Sequence, residues 1–198
     1  MKYLSLIIFL SLNTFAQQSY IDYLSPYHPV VGKSGMVVSQ NNLSSDIGIE
    51  ILNKGGNAVD AAVAVGFSLA ITLPRAGNLG GGGFMLVYLK EKDEIFYIDY
   101  RSKSPLNSTI DNIFDLNGKT IKPKDFTNDM FDKTRYGYKA SAIPGTVAGL
   151  LEAHENFGKL PLEEVLAPAI RQARNGIKVS YDLEKAIEDT HQLKKDPE

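Results

Sequence analysis

The run from Ala58 to Thr72 has almost no polar face: Ala58, Ala61, Ala62, Val63, Ala64, Val65, Phe67, Leu69 and Ala70 surround any helix drawn through it. A helix that is apolar on every side belongs in the interior of a larger body. Its ends are well marked. Asn57 is placed to cap it, Asp60 stands three residues on to complement the helix N-terminus, and Pro74 stops it. The many alanines and Gly66 predict close approach by neighbouring elements. Whatever the chain folds into, other elements must enclose this helix.

Candidates for those elements flank it. Leu43, Ile47 and Ile51 recur at four-residue spacing, with Ser44 as the expected N-cap and Gly55-Gly56 as the stop. Met36 to Ser39 reads as a short first strand. Beyond Pro74 lie Arg75-Ala76-Gly77-Asn78-Leu79 and the tetraglycine Gly80 to Gly83. Phe84–Leu89 and Ile95–Arg101 read as two strands joined by a charged turn, Lys90 to Glu94, hence a hairpin. Asn107 to Lys139 is polar and turn-rich with no clear period. After Pro144-Gly145, the residues Val147, Leu150, Leu151, His154 and Phe157 share one helical face, and Gly158 is a natural C-cap. Leu162 to Asn175 predicts another helix, interrupted near Pro168 and closed by Gly176. Ser180 is expected to cap a last helix reaching about Lys194.

Composition excludes several chemistries. The formal net charge is −2, so no basic surplus points to nucleic acid. The cysteine count is 0, which removes disulfides, thiolate nucleophiles and Cys-based zinc sites. His28, His154 and His191 lie far apart, and His154 inside a helix reads as surface or satisfied core. At the N-terminus, Lys2, the apolar stretch Leu4 to Leu12 and the small Ala16 have the layout of a secretory signal peptide. The expected organisation is a signal peptide over residues 1–16, cleaved to leave Gln17, then an N-terminal arm over 17–34, then one body from 35 to 198. No later segment is long and apolar enough to span a bilayer. A soluble, periplasmic or secreted protein is the expectation.

Four consecutive glycines demand unusual dihedrals or a backbone that something approaches closely. A phosphate loop fits poorly, because here a helix precedes the glycines and a strand follows, and no Lys-Ser/Thr pair is in place. A tight helix-to-strand turn packed under neighbouring backbone is the expected role. Arg101, at the end of the second strand, shares strand parity with Asp99 and Tyr97. An arginine there is placed to offer its planar fork to a carboxylate, although pairing with Asp99 or exposure to water is the plainer alternative. No G-x-S-x-G and no H-E-x-x-H occurs. By pattern alone the chain is an exported α/β segment without a complete catalytic group.

Four motifs in order extend this reading. Gly55-Gly56-Asn57-Ala58-Val59-Asp60-Ala61-Ala62 resembles the GGNAVDAA signature of γ-glutamyltransferases, also called γ-glutamyltranspeptidases or glutathione hydrolases. At the spacing of that family follow Gly77 to Met85, then Ile98-Asp99-Tyr100-Arg101, then Pro144-Gly145-Thr146-Val147-Ala148-Gly149. The resemblance runs from about Gly35 to Gly176. It implies an N-terminal-nucleophile hydrolase fold, a four-layer αββα sandwich. It also implies a proenzyme that cleaves itself, exposing a threonine as the new N-terminus of a small subunit. That threonine takes the γ-glutamyl group from glutathione and passes it to water, an amino acid or a peptide.

The nucleophile, the oxyanion-hole glycines and the acidic substrate contacts are expected beyond Glu198, so the chain corresponds to the N-terminal part of the large subunit. No catalytic residue is assigned within it, and no metal or organic cofactor is implied. Its implied partners are a γ-glutamyl substrate such as glutathione and its own small subunit. The family's substrate-binding arginine maps onto Arg101, where it would hold the glutamyl α-carboxylate. The family commonly has Glu after that arginine; here Ser102 follows. Two other readings are a cephalosporin or glutaryl acylase of the same superfamily and a non-catalytic secreted binding protein.

Overall fold

A computed structural model describes residues 31–109, 125, 127, 128 and 135–190 of the chain. The expected signal peptide, most of the arm, His28, His191, most of the stretch from 107 to 139 and the expected end of the last helix lie outside the described residues. The chain divides into two compact units, Met1–Gly35 and Met36–Glu198. The second unit holds every helix and strand described below.

The apolar run is the centre of the structure. Two helices, α1 (Asn42–Asn53) and α2 (Ala58–Thr72), are followed by strands β1 (Phe84–Leu89) and β2 (Glu94–Asp99). A 3-10 turn at Tyr138–Ala140 precedes α3 (Thr146–Phe157), α4 (Leu162–Asn175) and α5 (Tyr181–Asp189). Helix α2 packs against α1, α3 and α4. Its Val59, Ala61, Val63, Ala64 and Val65 are buried, together with Ile47 and Ile51 of α1, Leu150 and Ala153 of α3, and Val165 and Ala169 of α4. Fully burying a side chain of the Val63 or Ile51 kind is worth about 1.5–3 kcal/mol. The predicted close approach is real at Gly66, where a Cβ would come 2.8 Å from Leu150 Cδ1.

The cap at Asn57 is a complete capping box. Asn57 Oδ1 accepts from the N–H of Val59 and Asp60, and Asp60 Oδ2 accepts from the Asn57 N–H at 2.8 Å. Asp60 does more than cap. Its carboxylate is fully buried and also accepts the N–H groups of Lys159, at 3.0 and 3.1 Å, and Leu160, at 3.3 Å, which tie the α3–α4 connection to the start of α2. His154 Nε2 lies 2.9 Å from the Leu160 carbonyl oxygen and 3.6 Å from Asp60 Oδ1. It is a satisfied core histidine. Asp60→Ala would leave several partly buried donors without their acceptor at once, and hydrogen bonds to a charged group contribute roughly 1.5–3 kcal/mol each. The expected outcome in the full-length protein is a loss of at least about 3 kcal/mol, read as a lower midpoint in denaturant. An unchanged midpoint would remove Asp60 from this role.

Several details differ from the sequence expectations. Helix α1 starts earlier than a Ser44 cap allows, because Asn41 takes the role and accepts the Leu43 N–H at 2.9 Å. Ser44 is instead fully buried, with its Oγ 2.8 Å from both Ser68 Oγ and Thr72 Oγ1. Ser68 donates to Gln172 Oε1 at 2.7 Å. Counting one proton per hydroxyl, Ser44 then donates to Ser68, the Thr72 hydroxyl is shared between Ser44 Oγ and the Ser68 carbonyl oxygen at 3.3 Å, and α1, α2 and α4 are pinned together. Met36 to Ser39 pairs with no strand among the described residues; Val37 packs against the core while Met36 and Val38 stay exposed. Helix α4 continues unbroken through Pro168. The cost of an interior proline, about 3 kcal/mol, is met by packing of Val165, Pro168 and Ala169. Finally, α5 ends at Asp189, capped at its start by Ser180 as expected.

Strands β1 and β2 form an antiparallel two-stranded sheet in which Phe84 faces Asp99 and Leu89 faces Glu94. Met85, Val87, Leu89, Phe96 and Ile98 turn toward the helices. The other face carries Phe84, Leu86, Tyr88, Ile95 and Tyr97, all exposed.

Candidate active-site segment around Arg101

Strand β2 ends at Asp99, two residues short of the expected strand end. Tyr100 still pairs with Gly83: its N–H donates to the Gly83 carbonyl at 3.1 Å, and the Gly83 N–H donates back at 3.3 Å. Arg101 then leaves the ladder, because its N–H is taken by Asp99 Oδ1 at 3.0 Å. Asp99 therefore holds the backbone of Arg101 and not its guanidinium. The Arg101 side chain is exposed and has no ion pair among the described residues.

The tetraglycine is the helix-to-strand turn the sequence predicted, packed under neighbouring backbone. A Cβ on Gly82 would overlap backbone atoms of Tyr100, Arg101 and Ser102. Helix α3 closes the segment from the other side. A Cβ on Gly145 would overlap the Tyr100 carbonyl, and one on Gly149 would overlap the Tyr100 ring. The glycine turn also supplies an acceptor for the start of α3. The Gly81 carbonyl takes the N–H of Gly145 at 2.8 Å and of Thr146 at 3.1 Å, donors that a helix start leaves unpaired. The Thr146 hydroxyl donates to the Asn78 carbonyl at 3.3 Å. Just past Arg101, Lys103 and Ile143 exchange a pair of backbone bonds at 3.1 and 2.8 Å. Three of the four sequence motifs thus meet at one place: the glycine turn, the end of β2 and the start of α3.

Sequence reasoning identified Arg101 but missed Tyr100 as the contact that joins these pieces. One signal was present: Gly145 and Gly149 stand four apart, so a helix places both on one face. Burial raises the Tyr100 phenol above its ordinary pKa. A cleft of about 470 Å³ between α2 and β1, lined by Asn57, Ala62, Met85 and Val87 among others, does not include Arg101. Among the described residues no cluster of His, Cys, Asp or Glu is arranged to hold a metal, and no helix is long and apolar enough to cross a membrane.

A family model for gamma-glutamyltranspeptidase matches residues 44–198. The glutathione hydrolase proenzyme of Escherichia coli (strain K12) is 44% identical over 154 residues, covering 78% of this chain and 25% of that protein. The acylase ACY 1 proenzyme of Pseudomonas sp. (strain V22) is 38% identical over 177 residues, covering 89% of this chain and 31% of its own length. The crystal structure of Helicobacter pylori gamma-glutamyltranspeptidase superposes with a TM-score of 0.73 at 36% identity, covering 83% of this chain and 45% of that one. The chain spans about a quarter of the length of the E. coli protein it matches. These likenesses give it the N-terminal-nucleophile hydrolase fold, of which the described residues form helices and one small sheet. By the match of its sequence and of its fold, the chain belongs to the gamma-glutamyltranspeptidase family.

Proposed function

We propose that the full-length protein transfers the γ-glutamyl group of glutathione and related compounds to water or to an amino acid or peptide. In this reading a threonine, freed by self-cleavage at the start of a small subunit, attacks the γ-carbonyl carbon. The amide nitrogen departs with a proton, and water or an amine then releases the acyl group from the threonine oxygen. Residues 35–198 belong to the large subunit, and Arg101 grips the α-carboxylate of the donor through paired charge-assisted hydrogen bonds. The protein is exported, with residues 1–16 as its signal peptide, and acts in glutathione breakdown in the periplasm or outside the cell. The observation that carries the reading is Arg101, exposed and free of any ion pair among the described residues, on the segment where three family motifs converge.

The similarity to an acylase supports a second reading, removal of a glutaryl-type acyl group. A glutaryl group keeps the carboxylate that Arg101 would bind and lacks the α-amino group, so Arg101 serves both readings. Matched γ-glutamyl and glutaryl p-nitroanilides separate them. Full-length matured protein is expected to turn over the first at least about tenfold faster in kcat/KM, a difference of about 1.4 kcal/mol. The reverse preference would establish the acylase, and turnover of neither would leave a binding protein.

A further inference from the structure

Tyr100 is closely bracketed by glycines. Its ring lies between Gly83 and Gly149, where a Cβ on Gly83 would come 2.8 Å from Cε2 and a Cβ on Gly149 would overlap the ring. Its backbone crosses between Gly82 and Gly145 with no room for a side chain at either. Both of its main-chain hydrogen-bonding groups are paired with Gly83. Arg101, by contrast, has one backbone bond to Asp99 and an exposed side chain. The place and direction in which the arginine leaves the main chain are therefore set by its neighbour.

We propose that Tyr100 is the positioning residue for Arg101: its ring, wedged between the glycine turn and helix α3, fixes the point from which the guanidinium reaches a carboxylate. The inference rests on the role given to Arg101 above. A planar fork tolerates little error, since displacement of a binding group by about 1 Å can cost as much as about a hundredfold in rate. The ring does this, not the hydroxyl. The phenol oxygen is 3.5 Å from the Phe84 carbonyl, at the outer limit of a hydrogen bond.

The test uses the full-length, matured protein, with processing followed on a gel. Two donors are compared: a γ-glutamyl anilide and its α-carboxamide analogue, which has no carboxylate for Arg101. Tyr100→Leu, which empties the slot, and Gly149→Ala, which intrudes on the ring, are each expected to raise KM for the carboxylate donor about tenfold. Their kcat should stay within about twofold, and their kinetics on the carboxamide donor should not change. Tyr100→Phe should match wild type. Placed on Arg101→Ala, Tyr100→Leu should add less than about a twofold loss, because both act through one contact. Full additivity, or equal losses on both donors, would overturn the positioning role while leaving Arg101 intact as the carboxylate site. Loss of processing in both Tyr100→Leu and Gly149→Ala would make Tyr100 a general folding residue and overturn it too. If Arg101→Ala alone has no effect, the reading of Arg101 fails, and the inference fails with it.

Discussion

Arg101→Ala in the full-length, matured protein is expected to lower kcat/KM for a γ-glutamyl donor by at least about tenfold and up to about a thousandfold. Two parallel hydrogen bonds to a carboxylate are lost, each worth roughly 1.5–3 kcal/mol, and about 1.4 kcal/mol is a factor of ten. Arg101→Lys keeps the charge and loses the fork, so it should fall between alanine and wild type. The loss appears chiefly in KM if the contact is equally strong in ground and transition states, and also in kcat if it aligns the amide for attack. Self-cleavage should survive, because the scissile bond of a proenzyme presents no free α-carboxylate. The measurement is kcat/KM on samples shown to be fully processed. A normally processed Arg101→Ala with wild-type kcat/KM would leave Arg101 an ordinary surface residue.

The second large effect concerns the 198-residue chain produced alone. It is expected to show no turnover of γ-glutamyl-p-nitroanilide above a buffer blank, and to aggregate. The physical ground is the sheet. Leu86 is 73% exposed and Ile95 71%, and with Phe84, Tyr88 and Tyr97 they cover the outer face up to Asp99. Contiguous apolar surface of this kind marks an interface or an aggregation site. Among the described residues the sheet has two strands, so each offers one unpaired edge, and an isolated pair is marginal in water. Helix α2 remains open as well, with Ala62 lining the cleft beside β1. Size-exclusion chromatography and a thermal melt decide the matter. A soluble monomer with a cooperative transition would contradict the folding half, and measurable turnover the catalytic half.

The parts of the fold that were legible in the sequence are those fixed by local rules. The Asn57–Asp60 box, the all-round apolar helix and the Gly158 and Gly176 stops each depend on residues within one or two turns. The hairpin was legible because two short apolar, aromatic-rich runs flank a charged turn, although the second strand ends two residues earlier than expected. What was misread depends on distant partners. Ser44 looks like a cap until Ser68 and Thr72 are brought beside it. Met36 to Ser39 has the composition of a strand, but a strand also needs a neighbour with free hydrogen bonds. Pro168 breaks a helix in isolation and is tolerated where its face is packed. At the candidate site, Arg101 was found by motif, whereas the place of Tyr100 became clear when Gly83 and Gly149, far apart in the chain, were seen to face one side chain.

That arrangement limits how the segment can drift over generations. Gly82, Gly83, Gly145 and Gly149 border a single tyrosine, and a Cβ on any of the four would come 2.8 Å or closer to its main chain or ring. A substitution at any one of them meets the same obstacle, so such changes are not independent trials. A smaller residue at position 100 would relieve the ring contact of Gly149→Ala, although its own Cβ, at overlap distance from the new one, would still have to shift, and the wedge against the other three would loosen. Gly82 and Gly145 lack even that escape, because what they abut is main chain that every residue shares. Position 101 is different: its side chain is exposed and can be exchanged without disturbing its mount. On the role proposed for Arg101, a lineage can therefore retune which head group is gripped through one codon while the frame beneath it stays unchanged.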